Sequence, residues 1–506
     1  MFNVVMSGES YTHVGQLSSD GLWRWDGASW RPVVPRDLPR WLNRDLKARA
    51  TWFTLVAAAG VGLVADQALR IGTFGLAASL TLALIALALV FAGRISSFES
   101  SVLVGASVLF SAWMTVRASP WLLWPDLAMS FALIGLAASV TSRGSLLDLG
   151  IAEAAARSAH ALVHLGFGAG FAAQPLVQAR YRMGLVAPIA RGALIAAPIA
   201  TVLVVLLGVA DPVFASFFNF NLDFGRLTLD VTLVAGGAVV AAGLLRLAAA
   251  EPLSRVDGPA WRLGSIEGLV VLAVLDAVFA AFAVAQGIAA AGGAGDALRS
   301  AGVTYADYAR SGFFELLWVA GITAVVLILL SRITNLTERT TKRAFQVLSL
   351  VAIGLTLLIV LVAFQRLRLY EDAYGFTMLR LYSHIFAVWI GLIFLLLAAD
   401  FAGLFKPRRW FVGAVSVSAM AVLMTLNTLN PEAIVVSLNI DRAQATNKID
   451  AQYLATLSND ATPTLLASGS PDIRRIACEG PQSYSVGPAA FNWSDATAAA
   501  SRRARC

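Results

Sequence analysis

The stretch from Arg366 to His384 holds the densest group of side chains that could do chemistry, with arginines, acidic residues, tyrosines and a histidine close together. Arg368 and Glu371 are three residues apart, and Arg380 and His384 are four apart, so each pair would share one face of a helix. Such a group could bind a polar ligand, or its opposite charges could neutralise each other. It is therefore the first candidate for a functional site.

The segments that must position these side chains are strongly apolar. Of the 506 residues, 58% are hydrophobic and 14% are charged, and the mean hydropathy is +0.72. A soluble globule cannot bury that much apolar surface, whereas a lipid bilayer requires it. The composition therefore predicts an integral membrane protein whose main partner is the bilayer.

Apolar runs of about 18 residues or more recur along the chain, and each can cross a hydrocarbon core of roughly 30 Å. They predict an all-α polytopic transmembrane helix bundle of about eleven spans. The predicted spans are 51–69, 71–93, 100–116, 120–140, 192–210, 228–245, 264–286, 312–331, 344–365, 378–399 and 410–428. In the span at 228–245, the glycines at 236, 237 and 243 favour close packing between helices.

The basic residues give the bundle an orientation. With the N-terminus inside, the predicted inner segments carry about 23 Lys and Arg residues, against about 8 in the outer loops and span ends, as the positive-inside rule requires. The C-terminus is then outside. The formal charge of +7 reflects membrane anchoring, so no nucleic-acid partner is expected. The Arg-rich and Ala-rich composition suggests a bacterial source, and the predicted location is the inner (plasma) membrane of the cell.

Two polar regions flank the bundle. The predicted division is a cytoplasmic N-terminal segment at 1–50, the helix bundle at 51–428 and an external C-terminal tail at 429–506. In the first segment, Trp23 and Trp25 alternate with polar residues before the turn signal Asp26-Gly27, which predicts a Trp-rich hairpin. The hairpin could bind a protein partner, but a position on the lipid headgroups is favoured because tryptophan is common there.

The tail begins with Asn430-Pro431-Glu432, a good helix start with a capping residue and proline at the first helical position. Short helical pieces are predicted to follow. Beyond Ser468 the Gly-, Ser-, Ala- and Pro-rich composition predicts disorder. Cys478 and Cys506 lie on the oxidising side in this topology, so a disulfide between them is one hypothesis. Free thiols on a disordered end are the other.

The ionisable residues of the spans gather towards the predicted outer side, except Asp276, which lies near mid-span. Charges inside a membrane are costly and commonly mark a site. One interpretation is an outward-facing polar pocket; the other is a set of structural ion pairs between helices. The candidate ligand-binding residues are Asp276, Glu315, Arg366, Arg368, Glu371, Tyr374, Arg380 and His384.

The inner loop of about 145–190 predicts an amphipathic or re-entrant helix at the membrane surface. Within it, His160 and His164 have the spacing of a zinc-protease helix, but Ala161 stands where the general base would be and no third ligand is evident. No metal site and no cofactor are therefore expected. The chain also has no Walker-type lysine after a Gly-rich loop and no recognisable nucleophile–base constellation, so the interpretation leans against an enzyme.

Several segments together resemble a bacterial multi-pass membrane family that is classed as a domain of unknown function, of the 4173/4153 type. They are the stretch from Arg366 to His384, Asn430-Pro431-Glu432-Ala433-Ile434, Asp450-Ala451-Gln452-Tyr453-Leu454 and Asp460-Ala461-Thr462-Pro463. The resemblance is most specific at Arg368–Thr377 and at Asn439-Ile440-Asp441-Arg442, and it covers most of the chain from the spans to the tail. It implies a membrane location and no particular activity.

Two functions therefore stay open from the sequence. One is a transporter or small-molecule binder with an outward-facing polar pocket. The other is a non-enzymatic membrane scaffold or sensor component, in which the same charges form structural ion pairs and the hairpin or the tail binds a protein partner.

Overall fold

The computed structural model describes the greater part of the chain, and the statements below concern that part. The described residues are 16, 23–25, 29–32, 42–71, 74–92, 95, 97–140, 145–180, scattered positions between 192 and 214, 224–251, 253, 262–289, 291, 312–404, 409–480 and 487–506. The predicted span at 192–210 lies outside them apart from those scattered positions.

Long helices dominate this part of the chain, and the all-α helix bundle is confirmed. The membrane-region helices are α1 Trp52–Ile71, α2 Leu76–Phe91, α3 Phe98–Val116, α4 Pro120–Val140, α5 Ile151–Gly166, α6 Gly168–Ala172, α7 Gln174–Arg180, α8 Phe224–Ala249, α9 Ser265–Ile288, α10 Phe313–Ile333, α11 Arg339–Tyr374, α12 Met378–Ala402 and α13 Phe411–Leu429. Nine of these described helices are long and apolar enough to cross a membrane, and α2 is a shorter apolar helix.

The two ends of the described chain lie at opposite ends of the bundle. Residues 43–50 pair with the end of α8, where the amide of Lys47 donates to the carbonyl of Ala249 at 2.9 Å; we call this end the N-terminal face. At the other end, the amide of Leu76 donates to the carbonyl of Phe491 at 3.0 Å; we call it the tail face.

Outside the bundle core, many large apolar side chains point away from the protein. Trp318 is 72% exposed and Val278 is 59% exposed, which is the pattern of helices that face lipid rather than water. The buried faces pack on residues such as Leu89, Leu272 and Phe394, which are fully enclosed. The chain is therefore a multi-pass membrane protein.

The loop that predicted a surface helix contains α5, α6 and α7 at the N-terminal face. Helices α5 and α6 pack against α8, and α6 also contacts α1. On α7, the side chain of Gln174 accepts from the amide of Ala50 at 3.0 Å. In the N-terminal segment, strand β1 (Trp23–Trp25) pairs antiparallel with β2 (Trp30–Pro32), and Trp25 lies opposite Trp30.

The expectation of disorder beyond Ser468 is wrong for the described part of the tail. The tail forms α14 Pro431–Thr446, α15 Ala451–Leu454, α16 Thr462–Ala467, α17 Pro471–Glu479 and α18 Trp493–Arg505. The prediction of disorder rested partly on the many alanines of this segment. Two of them, Ala477 and Ala498, are buried in the packed tail. Arg502 is also buried and donates to the carbonyl of Ala477 at 2.9 Å. A disulfide joins Cys478 to Cys506, with their Cα atoms 5.8 Å apart.

Candidate functional site

The tail is joined to the bundle at the start of α4 by a buried carboxylate. Asp460 accepts hydrogen bonds from the backbone amides of Ala118 at 3.1 Å and Ser119 at 2.9 Å. These amides precede Pro120 and have no partner within the helix, so an acceptor at this position satisfies them. The tail therefore caps a membrane helix.

A second carboxylate, Glu432, lies beside the first and is 2% exposed. It accepts from the hydroxyl of Ser119 at 2.6 Å, and from the amide and hydroxyl of Ser458 at 2.8 and 2.7 Å. Burial raises the pKa of Glu432, although the hydrogen bonds from Ser119 and Ser458 act in the opposite direction. The first turn of α14 thus places an acidic group between the tail and the bundle.

The tail also holds the turn between α11 and α12. The side chain of Asn439 donates to the carbonyl of Phe376 at 2.8 Å and accepts from its amide at 3.1 Å. The hydroxyl of Tyr453 accepts from the amide of Met378 at 2.6 Å. Gly375, with φ +84°, lies against Asn439, where a Cβ would come within 3.0 Å of its side-chain oxygen. The start of α12 is thereby fixed relative to α14 and α15.

An open cavity of about 600 Å³ lies at this junction, between the starts of α4 and α12 and the tail. Its volume is in the range of small-molecule sites. Its described lining combines hydroxyls, one carboxyl and apolar side chains, and includes no Lys, Arg or His. The polar and aromatic members are Trp121, Thr377, Glu432, Tyr453, Thr456 and Ser458.

A hydrogen bond between α4 and α12 lies next to the cavity, on the side towards the middle of the bundle. Pro125 interrupts the hydrogen bonding of α4, because proline has no amide to donate to the carbonyl of Trp121 four residues earlier. The hydroxyl of Tyr382 on α12 donates to that carbonyl at 2.8 Å, and the Trp121 and Tyr382 rings are 5.2 Å apart. The amide missing at Pro125 thus leaves the acceptor that joins α4 to α12.

Next to this contact, the fully buried Asp126 accepts from the side-chain amide of Asn427 on α13 at 2.7 Å. Its second carboxyl oxygen has no hydrogen-bond partner among the described residues. A carboxyl group at this depth is costly and joins α4 to α13 through one strong contact.

The residues predicted from the sequence separate into different environments. Glu371 is buried and lies 3.1 Å from the Nδ1 atom of His384, which joins α11 to α12. The Arg380 guanidinium lies 4.2 Å from the centre of the Tyr370 ring and donates to the carbonyl of Gly375. The two interactions stabilise the hairpin between α11 and α12.

The other predicted residues lie apart from this pair. Glu315 and Arg368 are exposed, and Tyr374 is 55% exposed with its ring 4.9 Å from Tyr370. Arg366 lies against Gly312 at the start of α10. Asp276 is buried on α9, and neither of its carboxyl oxygens has a hydrogen-bond partner among the described residues. The predicted set does not line the described cavity at the tail face.

A separate cluster lies at the N-terminal face. His160 and His164 are buried with their Nε2 atoms 3.0 Å apart, and Arg246 donates to the Nδ1 atom of His164 at 2.7 Å. His164 and Arg246 also bond the backbone carbonyls of Asn43 and Arg44. In the described part of the chain, no group of three or more His, Cys, Asp or Glu side chains could hold a metal ion. These histidines thus fasten the N-terminal segment to α5 and α8.

Sequence reasoning missed the residues that build the cavity. Trp121, Glu432, Tyr453 and Ser458 come from segments far apart in the chain, and no spacing rule links them. One signal was present, since Glu432 and Tyr453 both fall in segments that carry the family resemblance.

A family model described as a domain of unknown function (DUF4153) matches residues 104–467. The matched range includes the whole described lining of the cavity. No curated protein and no solved structure matches the chain.

Proposed function

This chain belongs to the DUF4153 family, and we propose that it binds a small polar or amphiphilic molecule in the tail-face cavity, as a small-molecule binder or a transporter would. The observation that carries this proposal is the cavity of about 600 Å³. Its walls come from both the bundle and the tail, so the site exists only when the tail is docked. A pocket with several converging hydroxyls and one buried carboxyl can orient a polar group by hydrogen bonds.

The proposal places this cavity on the outer side of the plasma membrane of a bacterial cell. The support is the excess of Lys and Arg in the segments assigned to the inside, which the positive-inside rule relates to orientation. A ligand would then enter from outside.

The test compares the molecules that copurify with three versions of the full chain. Thr456→Trp fills the cavity, because Thr456 lines it and is exposed. Thr446→Trp is the matched control: Thr446 is also exposed and also donates to a backbone carbonyl three or four residues earlier, but it is not among the lining residues. Each purified protein is extracted with solvent, and the extracts are compared by mass spectrometry.

A molecule present with the natural protein and with Thr446→Trp, and reduced at least about tenfold with Thr456→Trp, is the expected result, because a tenfold change needs only 1.4 kcal/mol of lost binding. Identical extracts from all three proteins would contradict the proposal.

A second proposal, a non-enzymatic scaffold or sensor component, is favoured by ion pairs that join or brace helices within the bundle. Arg70 contacts Asp66 at 2.7 Å and Asp230 at 2.5 Å, and Glu371 contacts His384 at 3.1 Å. In this case the Trp-rich hairpin or the tail would bind a protein partner.

The Glu371 contact tests the structural role on which this second proposal rests. If it is structural, Glu371→Gln lowers the stability in detergent by roughly 1–3 kcal/mol, because an amide in place of the carboxyl group weakens the buried contact with His384. Arg368→Gln is the control, and since Arg368 is exposed its change should stay within about 0.5 kcal/mol. Unchanged thermal unfolding of Glu371→Gln would remove the support for a structural role.

A further inference from the structure

Two apolar grooves run along α12 on the side that carries Tyr382 and Phe386. The first has a volume of about 410 Å³ and lies between α12, α4 and α13; Pro125, Trp389 and Ala419 are among its lining residues. The second has a volume of about 440 Å³ and lies between α12 and α10; Trp318 and Gly321 are among its lining residues. Tyr382 and Phe386 line both grooves, so the two grooves flank a single helix.

The polar groups that border the grooves already have partners. The hydroxyl of Tyr382 donates to Trp121, the indole of Trp389 donates to Ser418 at 3.0 Å, and the hydroxyl of Ser383 donates to Leu379 at 2.7 Å. The surface left for an occupant is therefore apolar. Hydrocarbon is the matching chemistry inside a membrane, where an unpaired polar group is costly.

Both grooves adjoin the tail-face cavity. Leu379 lines the cavity and the second groove. Trp121 lines the cavity, and its ring lies 5.2 Å from that of Tyr382, which lines the first groove. The cavity stands above the start of α12, while the grooves follow its sides towards the middle of the membrane. A cavity with several polar lining residues thus lies next to two apolar grooves.

We propose that the ligand is a two-chain lipid that straddles α12, with its head in the tail-face cavity and one acyl chain in each groove. This inference rests on the proposed binding function of the cavity and specifies its ligand. The number of chains follows from the two grooves. The head group would lie near the membrane surface, because the cavity lies at the end of the bundle where the helices leave the membrane.

The side chains that line the cavity also determine which kind of lipid head group can bind. Its described polar groups are hydroxyls and the carboxyl of Glu432, and no basic side chain is among them. A phosphate would lie beside a carboxyl, and no basic side chain of the described lining could pair with it. Arg380 acts electrostatically on Tyr453 but already donates to the carbonyl of Gly375. A charge without a direct partner is expensive to bury. A head rich in hydroxyl groups can exchange hydrogen bonds with Ser458, Thr456 and Tyr453. The head is therefore uncharged and hydroxylated, as in a neutral glycolipid.

The experiment measures lipid adducts on the full purified chain by native mass spectrometry in detergent. The probes are a dioleoylglycerol that carries one neutral hexose and, as the charged comparison, dioleoyl phosphatidylglycerol. Ala419→Trp fills the first groove and Gly321→Trp fills the second. Ala421→Trp is the matched control for Ala419→Trp, because Ala421 is exposed on the same helix and is not among the groove residues.

The natural protein and Ala421→Trp should bind the neutral glycolipid at least about tenfold better than the phospholipid, a preference worth 1.4 kcal/mol. Ala419→Trp and Gly321→Trp should each reduce glycolipid binding by a similar factor. Equal binding of the two probes would overturn the assignment of the head, and full binding by both groove variants would overturn the assignment of the chains.

The failure of this inference can be told from the failure of the proposed function. If Thr456→Trp removes a copurifying molecule while the groove variants bind the glycolipid normally, the cavity binds a ligand but that ligand does not straddle α12. If neither the Thr456 nor the groove variants change binding, both proposals are wrong.

Discussion

Individual buried polar residues hold the chain together at both faces of the bundle. At the tail face, Glu432 and Asp460 accept hydrogen bonds from the segment that leads into α4. At the N-terminal face, His164 and Arg246 bond the backbone carbonyls of residues 43 and 44. Each group is buried and each has a partner, as expected where a lost hydrogen bond leaves a desolvated group behind.

The histidine cluster makes the stability of the N-terminal face depend on pH. Burial, together with the nearby His160 and Arg246, lowers the pKa of His164 from 6.5 to about 4, although the hydrogen bond to the Asn43 carbonyl acts in the opposite direction. Burial also lowers the pKa of His160, which faces Arg157 on α5 and Arg246 on α8. Both histidines are therefore neutral at pH 7. The unfolded chain takes up a proton near pH 6.5, before the folded chain does, so acid favours unfolding.

We expect the stability to be unaffected by His164 above about pH 7, to fall as the pH drops from 6.5 towards 4, and to level off below that. Thermal unfolding in detergent at pH 7.5, 5.5 and 4.5 measures this. His164→Gln is the comparison, because glutamine does not titrate in this range and the variant should lose less stability in acid. Parallel pH profiles for the two proteins would show that His164 is not responsible.

At the scale of elements, the contact between α4 and α12 depends on a missing backbone amide. Because Pro125 cannot donate to Trp121, the Tyr382 hydroxyl does so instead. We expect Tyr382→Phe to lower the stability by roughly 0.5–1.5 kcal/mol, since it leaves that carbonyl without a donor. The Pro125→Ala substitution restores a backbone amide that can donate to Trp121, so in that background the same Tyr382→Phe change should cost less.

A double-mutant cycle of thermal unfolding measurements gives the coupling between positions 125 and 382. Additive effects of the two substitutions would mean that the proline and the hydroxyl act independently.

Close packing of α5 and α6 on α8 depends on two glycines. A Cβ at Gly243 would come within 2.7 Å of the Cα of Leu165, and one at Gly168 would come within 2.6 Å of the amide nitrogen of Gly243. We expect Gly243→Ala to lower the stability by about 1–3 kcal/mol, because the added methyl group must push the helices apart.

Gly236→Ala is the matched control on the same helix. A Cβ there meets nothing within 4 Å, so the stability should be unchanged or slightly raised, because alanine favours a helix more than glycine does. Thermal unfolding of both variants under one condition decides the point. Equal losses would indicate that helix propensity or lipid contact, rather than close packing, sets the cost.

For the whole molecule, local patterns predicted the helices well and the site poorly. Hydropathy located the described spans because each must be apolar along its whole length. The helix start at Asn430 was also predicted, since Asn430 caps α14 and Pro431 occupies its first turn. By contrast, the partner of Glu371 is His384 on another helix, and the cavity joins residues from α4, α12 and the tail. Such contacts depend on how helices pack, which spacing along one segment does not encode.

The prediction that three glycines of one span allow close helix packing holds at two positions and fails at the third. Close packing at Gly237 and Gly243 is confirmed, whereas Gly236 faces open space. The composition of the tail was misleading for a related reason. Small alanine side chains suit both disordered segments and tightly packed short helices, and only their neighbours decide between the two.

The disulfide between Cys478 and Cys506 links the fold of the tail to the orientation of the whole protein. It joins α17 to α18 across 28 residues of sequence, and closing a loop of this size stabilises a fold by roughly 3–4 kcal/mol in the chain-entropy model. We expect Cys478→Ser, Cys506→Ser and the double substitution to lower the stability of the tail by the same amount, because each removes the same bond. Hydrogen exchange of residues 471–505 measures this loss.

The same cysteines report on which side of the membrane the tail lies, because disulfides persist in oxidising compartments. In right-side-out membrane vesicles, a maleimide that cannot cross membranes should leave the natural protein unlabelled until a reductant is added. Cys478→Ser should be labelled at Cys506 without a reductant. Labelling of this variant only after the vesicles are opened would place the tail inside and overturn the orientation. Labelling of the natural protein without a reductant would show that the bond does not form in the membrane.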